Sequence, residues 1–334
     1  MDYLLILSQI ILGILAVMLV LDIVLRTTAV YIILPIFERR PPFGIRPAFP
    51  DPKAEVIEFP TTDGLKLRGS LYRNPELPPK GLVVFCPEFG GSHWSAKWYC
   101  NALIDAGFSV LSFDFRNQGA SEHLASYRVM HWLSDYEVQD AISAVEYAQS
   151  REELADLPVG MFGISRGGGA ALATGAKLDR VEAVATEGAF TTDSMMFHFA
   201  IRWATLYFPP WIIDRLPDLH MRISLTIVRW ISQWRHGCHY LVLEKLLRRL
   251  KKKPVMMMNG TKDSYVHMDI PHKILKRAGG QPYHQLWEIP NAKHNLGRET
   301  IPEEYDQKLV EYFSQTLNSE ASAVEPSVRT SEIS

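Results

Sequence analysis

The stretch Met161-Phe162-Gly163-Ile164-Ser165-Arg166-Gly167 ends an apolar run in Gly-x-Ser-x-Gly and continues into Gly168-Gly169-Ala170, small residues compatible with a helix. A serine at such a strand-to-helix junction sits on a strained turn with its hydroxyl above the sheet edge, and the flanking glycines let neighbouring backbones approach without a clashing Cβ. The same two glycines could equally do no more than shape a tight turn. A hydroxyl is a poor nucleophile at its ordinary pKa, so chemistry needs a base within hydrogen-bond reach and a third group to orient that base. Residues 254–258 read as a buried strand, and the loop 259–266 that follows puts Asp263 at the strand's carboxyl end. Residues 283–289 read as a further short strand, and the loop 290–295 can return His294 over the same edge. Asp263 is the candidate orienting acid and His294 the candidate base. The nearest rivals are His267, just past the acid loop, and His284, inside a strand, while Glu187 offers an alternative carboxylate.

The chain order Ser165, Asp263, His294 resembles that of the α/β-hydrolase superfamily, and Ser165 looks like its nucleophile elbow. The resemblance spans roughly residues 54 to 317. It includes Asp114-Phe115-Arg116-Asn117-Gln118-Gly119-Ala120-Ser121, similar to the family's D-x-R-x-x-G-x-S segment, where Asp114 and Arg116 are expected to shape a loop rather than to do chemistry. It implies an oxyanion hole of two backbone amides, one from Arg166 after the nucleophile and one from the loop after the third strand. That loop reads Pro87-Glu88-Phe89-Gly90-Gly91-Ser92, and register selects the amide of Phe89. Many relatives carry His-Gly where this chain has Pro87-Glu88. A carboxylate there would oppose a developing anion, so Glu88 is expected to point away or to pair with a cation.

The elements that must position these residues are legible in outline. Residues 55–59 and 65–71 flank Thr62-Asp63-Gly64, a hairpin signal. Strands and helices then alternate: a third strand 81–86, a helix 95–106, a strand 108–113, a helix 136–150, the elbow strand, and a sixth strand 181–185. This pattern predicts an α/β fold, a mostly parallel eight-stranded sheet covered by helices on both faces, with the chemistry at the carboxyl ends of the strands. Between the sixth and seventh strands lies an insertion of roughly sixty residues, far beyond an ordinary connection, which predicts a helical cap over about 190–252. Within it, Ile223, Ile227, Trp230, Ile231 and Trp234 share one helical face, and Met196, Phe199, Trp203 and Leu206 suggest another. These faces are expected to pack on the core, with some side chains roofing the pocket. Arg202, Arg215, Arg222, Arg229, Arg235, Arg248, Arg249 and Lys251 to Lys253 make this region basic, either as a solvated face or as an attraction to anionic headgroups.

The chain of 334 residues, 47% hydrophobic and 11% aromatic, suffices for one large domain with additions. A net charge of -2 and a pI near 6.6 give no nucleic-acid signature. There is no zinc-type Cys/His spacing, P-loop or dinucleotide fingerprint, and the expected chemistry needs neither cofactor nor metal. Three widely spaced cysteines, Cys86, Cys100 and Cys238, suggest no disulfide framework. Tyr3 to Leu25 is an almost unbroken apolar run, and at about 1.5 Å per residue it reaches roughly 34 Å, enough to cross a bilayer. A cleaved signal would need a basic start and a small-residue cleavage site, and neither is evident. Arg26, Arg39, Arg40 and Arg46 follow the run, which predicts a single-pass membrane protein with its catalytic domain facing the cytoplasm. The expected organisation is an anchor over 1–28, an interfacial segment and proline-rich stalk over 29–53, the hydrolase domain over 54–317 and a disordered tail over 318–334.

Together these residues predict a serine hydrolase that cleaves an ester, thioester or amide of a small-molecule or lipid acyl substrate. A serine peptidase or acyltransferase of the same fold, and a non-catalytic membrane-bound binding module, remain as alternatives.

Overall fold

The computed structural model describes residues 2–41, 44–207, 209, 211, 215, 218–280 and 282–317. The tail expected over 318–334, Pro42 and Phe43 of the stalk, and the side chains of Trp203 and Leu206 lie outside what is described. The chain divides into two compact units, Met1–Pro41 with Met196–Gly237, and Pro42–Met195 with Cys238–Ser334.

The second unit holds an eight-stranded sheet: β1 (Glu55–Pro60), β2 (Lys66–Tyr72), β3 (Leu82–Cys86), β4 (Ser109–Phe113), β5 (Val159–Ile164), β6 (Val181–Glu187), β7 (Val255–Gly260) and β8 (His284–Ile289). Their spatial order is β1-β2-β4-β3-β5-β6-β7-β8. The opening hairpin is antiparallel and meets β4 antiparallel, while every pairing from β4 through β8 is parallel. All residues of β3, β4, β5 and β7 are buried, as a parallel sheet covered on both faces requires. One covering layer is α2 (Ser95–Asp105) with α7 (Pro302–Thr316), which pack together and bury Leu103, Tyr305, Leu309 and Phe313 against the strands. The other contains α3 (Asp135–Ser150) packed on α4 (Arg166–Lys177). Ser134 starts α3 with a capping box, accepting a hydrogen bond through its hydroxyl while the Glu137 side chain accepts from the Ser134 amide.

Asp114 and Arg116 shape the loop after β4. The Asp114 carboxylate accepts the amides of His93 (2.5 Å) and Ala120 (2.8 Å). The fully buried Arg116 donates to Asp140 at 2.8 Å and to Asp63 at 2.8 Å, with its guanidinium 4.5 Å above the Tyr136 ring. This ties the hairpin turn, the β4 loop and α3 together.

In the first unit, α1 (Asp2–Phe37) is one continuous helix that runs from the expected anchor over 1–28 into the start of the expected interfacial segment. Nothing in 26–34 breaks a helix, and Pro35 lies within its last turn, so the ladder runs on. Its large apolar side chains from Tyr3 to Leu25 are exposed, and α1 is long and apolar enough to cross a membrane. α5 (Thr192–Tyr207) and α6 (Asp218–His236) supply the inserted helices, and α6 packs on α1. At their ends Glu38 meets Arg235 at 3.0 Å and His236 at 3.2 Å. The expected packed face of α6 is corrected here: Leu225 and Val228 are buried, while Ile223, Trp230 and Trp234 are exposed. Helical spacing groups side chains on a face but leaves open what that face meets.

Removing one partner of a buried ion pair strands the other charge. Asp140→Ala should therefore lower unfolding stability by about 3–5 kcal/mol, measured by urea denaturation, whereas exposed Lys262→Ala should change it little.

Candidate active site

Ser165 lies between β5 and α4 with φ 52° and ψ −117°, a left-handed backbone that side chains rarely adopt and that costs about 1–3 kcal/mol. The turn is so tight that a Cβ at Gly163 would sit 2.3 Å from the Gly167 carbonyl oxygen. One at Gly167 would sit 2.2 Å from that of Cys86. The elbow therefore abuts the exit of β3, and the Ser165 amide donates to the Glu187 carbonyl at 2.7 Å on the β6 side.

Three loops carry polar groups to this turn. Ser165 Oγ is 2.9 Å from His294 Nε2, and His294 Nδ1 is 2.7 Å from Asp263 Oδ2. The other Asp263 oxygen accepts the amides of Tyr265 and Val266, each at 2.8 Å, which leaves Oδ2 aimed at the ring. Gly188, at φ +61°, makes room: a Cβ there would lie 3.0 Å from His294 Cε1 and 2.8 Å from Asn295 Oδ1. The rivals are elsewhere. His267 is exposed and pairs with Asp269 at 2.9 Å, and buried His284 approaches the Leu250 carbonyl at 3.0 Å through Nε2. Glu187 is buried with both oxygens engaged, accepting from the Gly297 amide (2.7 Å) and the Tyr305 hydroxyl (2.8 Å), and burial raises its carboxyl pKa.

Arg166 opens α4, where first-turn amides have no partner within their own helix. Phe89 lies on the β3 exit loop that the elbow abuts. The Arg166 side chain turns inward, donating to the Met130 carbonyl at 2.8 Å and lying 3.3 Å from Glu137, with its guanidinium 5.0 Å from the Phe89 ring.

Glu88 does not pair with a cation. It is buried, no ion pair reaches it among the described residues, and its Oε2 has no hydrogen-bond partner. Burial, with a smaller push from Glu187, raises its carboxyl to about 7. A charge that loses its water without gaining a partner is relieved by taking a proton.

Sequence reasoning missed an aromatic wall. Tyr265 packs edge-on to His294 (5.1 Å between centroids), Phe190 to Tyr265 (5.8 Å), Trp132 to Phe190 (6.2 Å), His131 against Trp132 (4.3 Å) and Phe89 to His131 (6.3 Å). Burial, helped by the Arg166 charge, lowers His131 to about 3, so the wall is uncharged at neutral pH. Its members are scattered over four loops, and no spacing rule joins them. A second set of suitable residue types, Ser70 Oγ 2.5 Å from His93 Nδ1 beside Asp114, is closed to solvent and holds the β3 and β4 loops together.

An acid whose folded pKa lies above its unfolded value contributes stability that is present below the unfolded value and is lost as pH rises through the folded one. For Glu88 that window runs from its ordinary 4.5 to about 7. Glu88→Gln should match the wild type near pH 4.5 and exceed it at pH 8 by roughly 3 kcal/mol, measured as unfolding free energy across pH.

Comparison with known proteins agrees with this architecture. A family model for the alpha/beta hydrolase fold matches residues 81–220, which include Ser165 but end before Asp263 and His294. An uncharacterised 31.7 kDa protein of the traX-finO intergenic region of Escherichia coli is 27% identical over 144 residues, 42% of this chain and 48% of that protein. A thiohydrolase, aneE, of Aspergillus aculeatus is 31% identical over 117 residues, 35% of each chain. The chain thus spans about half or less of these relatives' length. Among solved structures, an esterase of Pyrococcus furiosus superposes with a TM-score of 0.61 at 18% identity, covering 83% of this chain and 98% of that one, a likeness of fold. With its sheet order and the family model matched over residues 81–220, the chain has the α/β-hydrolase fold.

Proposed function

We propose that the protein is a serine hydrolase acting through an acyl-enzyme. The observation that carries this reading is the hydrogen-bonded line from Ser165 Oγ to His294 Nε2 (2.9 Å) and from His294 Nδ1 to Asp263 Oδ2 (2.7 Å). Ser165 attacks the substrate carbonyl while His294 takes its proton. The Asp263 carboxylate fixes the ring tautomer and stabilises the imidazolium that forms. The amides of Phe89 and Arg166 hold the oxyanion of the tetrahedral intermediate, a contribution of several kcal/mol in comparable sites. Its collapse expels the alcohol, thiol or amine, protonated by His294, and water then releases the acid by the same steps in reverse. None of these steps calls on a metal or cofactor.

The substrate is a carboxylic ester or thioester with an apolar acyl group, a lipid ester being first choice. Support comes from the uncharged aromatic wall beside His294 and from the esterase and thiohydrolase among the similar proteins. α1 anchors the chain in a bilayer by a single pass, supported by its length and its exposed apolar side chains. Arg26, Arg39, Arg40 and Arg46 follow the run while Asp2 is the charged side chain before it, which supports a cytoplasmic catalytic domain.

A fluorophosphonate probe should label Ser165 in the wild type and nothing in Ser165→Ala; labelling of another residue, or none in folded protein, rejects the mechanism. On a p-nitrophenyl acyl ester, His294→Ala should lower kcat by about 10⁴-fold or more, whereas His267→Ala should leave it unchanged. Gly188→Ala places a methyl against the His294 ring and strains a left-handed backbone. It should cost on the order of 10²-fold in kcat with KM little altered, measured on the same ester.

A further inference from the structure

α6 carries two apolar faces. At 100° per residue, Leu219, Ile223, Trp230 and Trp234 fall within an arc of about 60°, roughly opposite the buried Leu225, Val228 and Ser232. The inner face is spent on packing. The outer one is solvent-facing, with Leu219 67%, Trp230 67% and Trp234 80% exposed. Two tryptophans and two aliphatic side chains in line are an extended apolar surface rather than a scattering of single residues.

We propose that this outer stripe of α6 is a second membrane contact, seated among lipid headgroups and upper acyl chains alongside α1. The inference rests on α1 entering a bilayer, as in the reading above. Continuity selects lipid as the occupant: α6 packs on α1, whose own apolar surface is bare, and the helix ends are joined through Glu38 with Arg235 and His236. A helix fastened to a membrane span is held at or near the bilayer, and its outward face meets that phase first. The chemistry fits this position. Tryptophan concentrates at the membrane–water interface, where its ring is apolar and its N–H stays hydrated. Arg222, its guanidinium 5.0 Å from the Phe197 ring, and Arg229 lie along one border of the stripe, and basic residues at such a border favour anionic headgroups nearby. An aqueous outer face would leave both indoles in water with no compensating contact.

The test uses full-length protein in phosphatidylcholine–phosphatidylglycerol vesicles. Cys86, Cys100 and Cys238 are buried, so a nitroxide can be directed to an introduced cysteine. Labels at Trp230→Cys and Trp234→Cys are compared with Leu12→Cys on α1 and with Glu76→Cys on an exposed turn of the sheet unit, by collision with oxygen, which enters lipid, and with a water-soluble nickel chelate. Expected is an oxygen-to-nickel ratio at 230 and 234 about fivefold or more above that at 76, in the same sense as at 12. If 12 reads lipid while 230 and 234 match 76, the α6 contact is overturned and the anchor stands. Labels at 230 and 234 that are immobile and shielded from both reagents overturn it in favour of a protein partner or a second copy. If 12 itself matches 76, the anchor reading fails and takes the α6 contact with it.

Discussion

Everything at the site depends on one backbone conformation, the positive φ of Ser165, and on the absence of side chains around it. Gly163 and Gly167 bring the turn within van der Waals contact of itself and of the Cys86 carbonyl, so β3 and β5 end at one level. The Ser165 amide is fixed to the Glu187 carbonyl, which ties in β6. Gly188, directly after that strand, then leaves the space that the His294 ring occupies. A strained residue persists only when its surroundings over-determine it, and here the surroundings are three parallel strands that stay paired up to the turn, Cys86 with Gly163 and Ile164 with Glu187. The strain is local, and its stabilisation is spread over the sheet.

The electrostatics around this turn follow a single rule: groups that lose water either gain a partner or lose their charge. Asp263 is buried with three hydrogen bonds, and Arg116 with carboxylates on two sides. Glu88 Oε2 and His131 Nδ1 have no hydrogen-bond partner, and burial moves each group toward its neutral form, Glu88 up to about 7 and His131 down to about 3. The consequence is a wall of rings from Tyr265 to Phe89 without a fixed charge, beside one polar line from serine to carboxylate. The departure at Pro87-Glu88 is eased in the same way, since a carboxyl raised to about 7 carries less negative charge beside the loop with Phe89 than an exposed glutamate would.

The other compact unit carries apolar surface on two of its helices. α1 exposes a surface that water would not stabilise, and α6, packed on it, exposes a second apolar stripe while burying its first. An amphipathic helix in a water-soluble unit turns its one apolar face inward, and the second apolar face of α6 is what the proposed membrane contact would cover.

Much of this was legible in the chain. Alternating apolar runs and turn residues locate seven of the eight strands to within a residue or two, the elbow strand being marked by its motif, and the hairpin at Thr62-Asp63-Gly64 declares itself, because strand periodicity and turn chemistry are local properties. The types and order of Ser165, Asp263 and His294 were also readable, since a loop at a strand's carboxyl end can be placed from sequence. Tertiary structure alone decided the rest: that Ser165, His294 and Asp263 lie within hydrogen-bond distance, that His267 faces solvent, that Glu88 is buried without a cation, and that Trp230 and Trp234 point outward. Each depends on what lies across space from a side chain, and neither the residue's identity nor its spacing along a helix carries that information. Burial and partnership are relations between distant parts of the chain, and only folding brings them into being.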